Sequence, residues 1–436
     1  MVVPASGASA GQVSCHGLEA TIVGTDGHDR IKGTTRRDVI AGLDGDDRIR
    51  GLGGNDVICG DAGQDRLWGG GGDDRLEGGI GDFQEYLESW RGDYLMPGGG
   101  DDVLVPQPAG GAAADDTDHL FLRYERRGVR VDLAAATITG NGHDRIVNRA
   151  AKLWVTGTPH DDVLGGTAAH DYLQGGRGSD RIRGRGGDDS LHPQSYTNAE
   201  RELDGPRDHN VINGGEGDDG ISGGLGRDDI DGGPGDDYLS SGHAGPDELR
   251  GGGGADGFGV HSSTDRVSVW GGPGDDHVGD STRRSTVRGG DGNDFIRLRA
   301  PRDGVRSTYL GGAGDDTFAF QDTRQGRDPM TLRTDLRDGA GRYAGGTFRL
   351  GGMDALQAYS AVLGDRWIAH GTDEAEGFWA EARMAARIHA HGGDDVVTTE
   401  DMDDVVWGGD GIDTANTGAG DDVCHDVEVV TSCVPD

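Results

Sequence analysis

Cut every nine residues, positions 42 to 77 read GLDGDDRIR, GLGGNDVIC, GDAGQDRLW and GGGGDDRLE without a slip. A period held this strictly confines the chain to architectures that stack one short unit on the next, because a unit of this size buries no core alone. Glycine fills the first place (Gly42, Gly51, Gly60, Gly69) and the fourth (Gly45, Gly54, Gly63, Gly72). Aspartate fills the sixth (Asp47, Asp56, Asp65, Asp74), and Ile49, Ile58, Leu67 and Leu76 fill the eighth. A lone apolar residue between polar neighbours marks a short strand with one inward side chain, since strand side chains alternate faces. The glycines mark a turn that needs φ > 0. Each unit is therefore a turn followed by a very short strand.

The register continues upstream through Gly33 and Gly24, placing Asp38 and Asp29 sixth and Ile40 and Ile31 eighth. A second run, 157–192, carries Asp162, Asp171, Asp180 and Asp189, with Leu164, Leu173, Ile182 and Leu191 inward. A third, from 205, carries Asp219, Asp228 and Asp237, then Asp247 and Asp256 after a one-residue slip. Single units surround Asp102, Asp144, Asp276, Asp294 and Asp316, and a last run holds Asp395, Asp404, Asp413 and Asp422. The chain thus divides into repeat blocks 15–105, 157–192, 205–319 and 390–436, separated by insertions 106–156, 193–204 and 320–389. Two aperiodic stretches share a pattern, RVDL at 130–133 with KLWVTGT at 152–158, and RTDL at 333–336 with RWIAHGT at 366–372. They read as one longer strand-rich coil inserted twice. Between Glu374 and Ile388, EAEGFWAEARMAARI has the Ala, Arg and Glu content of a helix, expected to pack on the solenoid flank.

Two units make one coil, so aspartates 18 residues apart, such as Asp29, Asp47 and Asp65 or Asp38, Asp56 and Asp74, stand above one another. At the parallel-strand spacing of about 4.8 Å their charges repel. A hard cation relieves this, and Ca²⁺ takes six to eight oxygens from carboxylates and backbone carbonyls. Mg²⁺ fits less well because it keeps its waters and strict octahedral geometry, and an EF-hand is excluded by the missing final Glu and flanking helices. The net charge of −37 and an aromatic content of 6% point the same way. Such a chain buries too little apolar surface to offset its ordering entropy without a cation, and it repels nucleic acid.

The blocks resemble the RTX, or haemolysin-type, nonapeptide GGxGxDxUx. The resemblance implies an all-β parallel β-roll with calcium held between adjacent turns by sixth-place aspartates and turn carbonyls. Carried over to this sequence, it makes ligands of Asp29, Asp47, Asp56, Asp65, Asp74, Asp102, Asp144, Asp180, Asp189, Asp219, Asp228, Asp237, Asp256, Asp276, Asp294, Asp316, Asp395, Asp413 and Asp422. Asp38, Asp162, Asp171 and Asp404 lack the fourth-place glycine, and Asn210 replaces aspartate, so the pattern departs there.

Four cysteines, two near each end, suggest covalent clamps on the solenoid caps, with Cys15 to Cys59 and Cys424 to Cys433 as the favoured pairs. The second pair requires the tail to leave the regular register, because the two sheets of a roll stand about 10 Å apart. Cysteine usage, extracellular calcium at millimolar levels and small residues ending at Ala10 suggest export, with 1–14 as the remnant of a signal. No apolar run reaches membrane-spanning length. HExxH, GxSxG and Walker lysine motifs are absent, and His389 and His391 read as solvated rather than zinc-binding. Two functions follow: a secreted calcium-binding protein with a structural or interaction role, or an extracellular polysaccharide-acting enzyme. The enzyme would place its site in 106–138 or 320–389, with Asp115, Asp116 and Asp118 as candidate carboxylates.

Overall fold

The computed structural model describes residues 12–80, 92–106, 117–140, 142–147, 153–194, 208–242, 245–261, 266–299, 305–322, 330–344, 346–360, 362, 365–381 and 384–435. The expected export remnant lies, as far as residue 11, outside them. The chain forms two compact units, 1–220 and 221–436. Every element among the described residues is a strand, so no helix there is long and apolar enough to cross a membrane.

Eighth-place residues organise the first unit. Val39–Asp44, Val57–Ala62 and Arg75–Ile80 run parallel in one sheet, with Ile40 beside Ile58 and Ile58 beside Leu76. Arg30–Lys32, Arg48–Gly53, Arg66–Gly71 and Tyr94–Gly99 form the other, with Ile31, Ile49, Leu67 and Leu95 in one row. The chain alternates between the two sheets, so each coil adds one side chain to each inward row, and every one of these residues is buried. Register is fixed because a one-residue slip would turn an entire row to solvent.

The second unit keeps the inward register while its coils lengthen. Leu249 pairs Val269, which pairs Val287, which pairs Tyr309. Larger side chains fill the core here: Tyr309, Phe318, Phe320, Trp367 and Phe378 are fully buried, and the Tyr309 and Phe318 ring centroids lie 5.1 Å apart. Tyr309 donates its hydroxyl to Asp280 Oδ2 at 2.7 Å, Ser285 donates to the same atom, and burial holds the Asp280 carboxyl above its ordinary range.

The two insertions have one topology. In the first, Arg130–Asp132, Thr137–Thr139 and His143–Ile146 form an antiparallel meander whose outer strands pair parallel with Val163–Gly165 and Val103–Val105. In the second, Thr331–Asp335, Ala340–Tyr343 and Gly346–Gly351 do the same between Asp365–His370 and Val305–Ala313. Each meander runs backwards against the direction of coil growth. The helix expected over Glu374 to Ile388 is not formed: Gly377–Glu381 and Met384–Gly392 are strands. Phe378, Ala380, Met384, Ala386 and Ile388 are buried in alternation, a period of two that outweighs the helical propensity of the intervening residues.

Cys15 is joined to Cys59 and Cys424 to Cys433, each pair with Cα atoms 5.7 Å apart. At the C-terminus the coil shortens, so that Thr414 pairs Val429 and Val423 pairs Val434. This contraction carries Cys433 next to the inward Cys424.

Candidate metal centre

At each edge of the roll the turn aspartates form a ladder. Asp29 N–H donates to Asp47 Oδ1 at 2.8 Å, Asp47 N–H to Asp65 Oδ1 at 2.9 Å, Asp65 N–H to Asp93 Oδ1 at 2.8 Å and Asp93 N–H to Asp118 Oδ1 at 2.8 Å. The opposite edge runs through Asp38, Asp56, Asp74, Asp102 and Asp144. Shorter ladders pass from Asp162 to Asp180 to Asn210 and from Asp171 to Asp189 to Asp219. In the second unit they link Asp228 to Asp247, Asp237 through Asp256, Asp276 and Asp294 to Asp316, Asp395 to Asp413, and Asp404 to Asp422. One oxygen of each accepting carboxylate is thereby assigned to backbone.

The other oxygen is buried without a protein donor at Asp47, Asp56, Asp65, Asp74, Asp102, Asp189, Asp256, Asp276, Asp395 and Asp413. An orphaned buried carboxylate oxygen is costly and calls for a partner. Its surroundings are oxygen-rich: a Cβ on Gly42 would collide with Asp47 Oδ2 and the Gly60 carbonyl oxygen, and one on Gly60 with Asp65 Oδ2 and the Gly78 carbonyl oxygen. At these turns the first-place glycine leaves room for a cradle of carboxylate and carbonyl oxygens, whereas Pro97 and Ala390 hold that place before Asp102 and Asp395. Burial pushes Asp47 and Asp56 up to about 6, Asp65 and Asp74 to about 7 and Asp102 to about 8, and the neighbouring ladder carboxylates add to the rise. Among the described residues no three His, Cys, Asp or Glu side chains converge as a ligand set. A cation here draws the rest of its coordination from backbone oxygens, which suits Ca²⁺ and not a zinc site.

Five turns are built differently. Thr25 donates N–H and hydroxyl to Asp29 Oδ2 at 2.6 and 2.8 Å, and Thr34 does so to Asp38 Oδ2 at 2.6 and 2.9 Å. Thr167 bonds Asp171 Oδ2 and Thr372 bonds Glu376 Oε1 in the same way, while Thr158 donates its N–H to Asp162 Oδ2 and its hydroxyl to Oδ1. The difference lies at the second place of the turn. Leu43, Leu52, Asp61 and Arg185 hold it at φ of 83°, 86°, 75° and 87°, before the orphaned Asp47, Asp56, Asp65 and Asp189. The threonines keep φ negative and turn the N–H onto the carboxylate. Gly224, also outside the positive-φ set, donates its N–H to Asp228 Oδ2 at 2.7 Å. Thus Asp29 and Asp228, counted among the ligands from their sequence pattern, have an internal donor on Oδ2.

The structure adds acidic residues that spacing missed. Asp93 and Asp118 continue a ladder, Asp354 accepts from Asp316 N–H at 2.8 Å, Asp365 from Met330 N–H at 2.7 Å, and Glu428 from Asp413 N–H at 2.9 Å. Their common signal is an acidic residue two places before an inward apolar one, as in Asp93-Tyr94-Leu95 and Asp118-His119-Leu120. Asp118, a candidate catalytic carboxylate on sequence, is thus placed in the ladder, while Asp115 and Asp116 lie outside the described residues. His389 stacks on Trp407 at 4.0 Å and on His370 at 4.8 Å, in a row of rings that continues to His425.

A family model described as the RTX calcium-binding nonapeptide repeat (4 copies) matches residues 23–58, 53–82, 156–192, 207–239, 241–258, 270–300 and 398–425. No curated protein matches the chain.

Proposed function

From the premise that this is an RTX calcium-binding nonapeptide repeat protein with calcium as its cofactor, we propose that it is secreted, folds on binding several Ca²⁺ ions and then serves a structural or interaction role. The observation that carries this reading is the row of buried turn carboxylates with one oxygen lacking any protein donor, which at every one named below except Asp395 faces a backbone carbonyl across a first-place glycine. Asp47, Asp56, Asp65, Asp74, Asp189, Asp256, Asp276, Asp395 and Asp413 would hold the ions. Calcium supplies positive charge there, and the chain's own contribution is to aim the oxygens and exclude water. In its absence the charge of −37 opposes compaction. Export accords with two disulfides, which persist in oxidising compartments, and with sites suited to millimolar calcium.

Far-UV circular dichroism during a calcium titration of EGTA-treated protein tests the proposal, with magnesium as control. A cooperative gain of β signal with calcium alone is expected. A chain already β-structured in EGTA, unchanged by calcium, would make the ions accessory to folding.

A further inference from the structure

The backward meander of the second insertion gathers four arginines on one outward face of this acidic chain. Five adjacent strands, Val305–Ala313, Gly346–Gly351, Ala340–Tyr343, Thr331–Asp335 and Asp365–His370, line a pocket of about 670 Å³. Pairing register places Arg306, Thr347, Arg342, Arg333 and Ile368 in one outward row and Thr308, Arg349, Ala340, Asp335 and His370 in the next. Arg333 and Arg342 are direct cross-strand partners. Like charges opposed in this way destabilise a sheet unless an anion lies between them. Among the described residues, Arg306, Arg333, Arg342 and Arg349 form no ion pair, although the chain carries 78 acidic residues against 41 basic. Four exposed guanidiniums thus face one pocket with their charge available.

We propose that this pocket binds an extended glycan bearing oxyanion groups, carboxylate or sulfate. Guanidinium forks match planar carboxylate and tetrahedral sulfate through paired N–H donors. From Arg306 to Arg333 the row crosses three strand spacings, about 14 Å, which exceeds a single small anion and suits a chain with charges at intervals. Asp335 and Asp338, in the same lining, can accept hydrogen bonds from sugar hydroxyls beside those charges. Nucleic acid fits less well, because the lining offers no open aromatic face for base stacking, with Phe348 buried and His370 stacked against His389. The inference concerns a site in the insertion and does not rest on the calcium reading.

The test is fluorescence anisotropy of two labelled hexasaccharides, one a polyuronate and one sulfated, with the full chain in millimolar calcium and its β signal checked by circular dichroism. Wild-type protein is expected to bind at least one. The variant R333Q/R342Q should bind about tenfold or more weakly with an unchanged spectrum, the loss of one or more charge-assisted contacts, and R183Q in the first unit should bind as wild type. Whichever hexasaccharide binds more tightly identifies the oxyanion. Failure of both to bind, equal binding by R333Q/R342Q, competition by inorganic sulfate as strong as by either hexasaccharide, or tighter binding of a single-stranded oligonucleotide would each overturn the proposal. Should R333Q/R342Q fail to fold, R306Q/R349Q, on two other strands of the same row system, gives the same readout.

Discussion

Asp65 meets two opposed requirements. Its Oδ1 accepts the Asp47 N–H at 2.9 Å, while Oδ2 is buried beside Gly60 and the Gly78 carbonyl oxygen with no protein donor. Asp65→Asn preserves the Oδ1 acceptor and puts an amide where the charge was, as Asn210 does naturally in accepting from Asp180 N–H at 2.9 Å. In EGTA the variant should be more stable than wild type by on the order of 1 kcal/mol, because the desolvated charge and its repulsion from Asp47 are gone. In saturating calcium it should be less stable and bind fewer ions. Thermal melts in the two buffers, with calorimetric stoichiometry, check this. A lowered Tm in both with unchanged stoichiometry would make Asp65 purely structural. First- and fourth-place glycines and sixth-place aspartates were legible in the sequence, since each is dictated by local turn geometry. The left-handed second place was not, because Leu43, Leu52, Asp61 and Arg185 hide it behind ordinary side chains.

At the scale of the turn, φ at that second place distinguishes Asp29, Asp38, Asp162 and Asp171, bonded by a threonine, from Asp47, Asp56, Asp65 and Asp189, whose Oδ2 has no protein donor. Thr34→Val retains the branched shape and the N–H but removes the hydroxyl that bonds Asp38 Oδ2 at 2.9 Å. A hydrogen bond to a charged acceptor is worth about 1.5 to 3 kcal/mol when buried, and this one is partly exposed, so a loss of about 1 kcal/mol is expected with calcium stoichiometry unchanged. Denaturant melts and titration calorimetry measure both, and a lost calcium ion would place metal at the threonine turns as well. Strands obey a similar lesson. The residues from Gly377 to Gly392 have helical composition, yet their inward alternation was present in the sequence and decided the outcome. Propensity is a weak prior when neighbouring coils already offer a sheet edge and an apolar slot.

Across the whole molecule these carboxylates set the response to pH. In chelator, burial raises Asp65, Asp74, Asp189 and Asp276 to about 7 and Asp102 to about 8, so the folded state holds protons that the unfolded chain, titrating near 4, has released. Stability from this source is full below the unfolded value and is lost as pH rises through the folded values, between about 4 and 8. His119 and His192, lowered by burial to about 3 and about 4, act oppositely below pH 6.5 but are fewer. Metal-free protein should therefore melt at a higher temperature at pH 5 than at pH 8. In calcium the order should reverse, because ligation requires the carboxylates deprotonated. Melts at the two pH values, with EGTA or calcium, decide it, and the same order in both buffers would detach the carboxylates from metal binding. What the sequence alone determined is the roll, its inward rows and most of its acidic turns, since all three follow from a period that local geometry enforces. What only the tertiary structure decided is which acidic residues join a ladder from aperiodic segments, as Asp93, Asp118, Asp354 and Glu428 do, and how the meanders turn back to gather Arg333 and Arg342 on one face. Those outcomes depend on strand pairing between coils, whose register is set by neighbours distant in sequence.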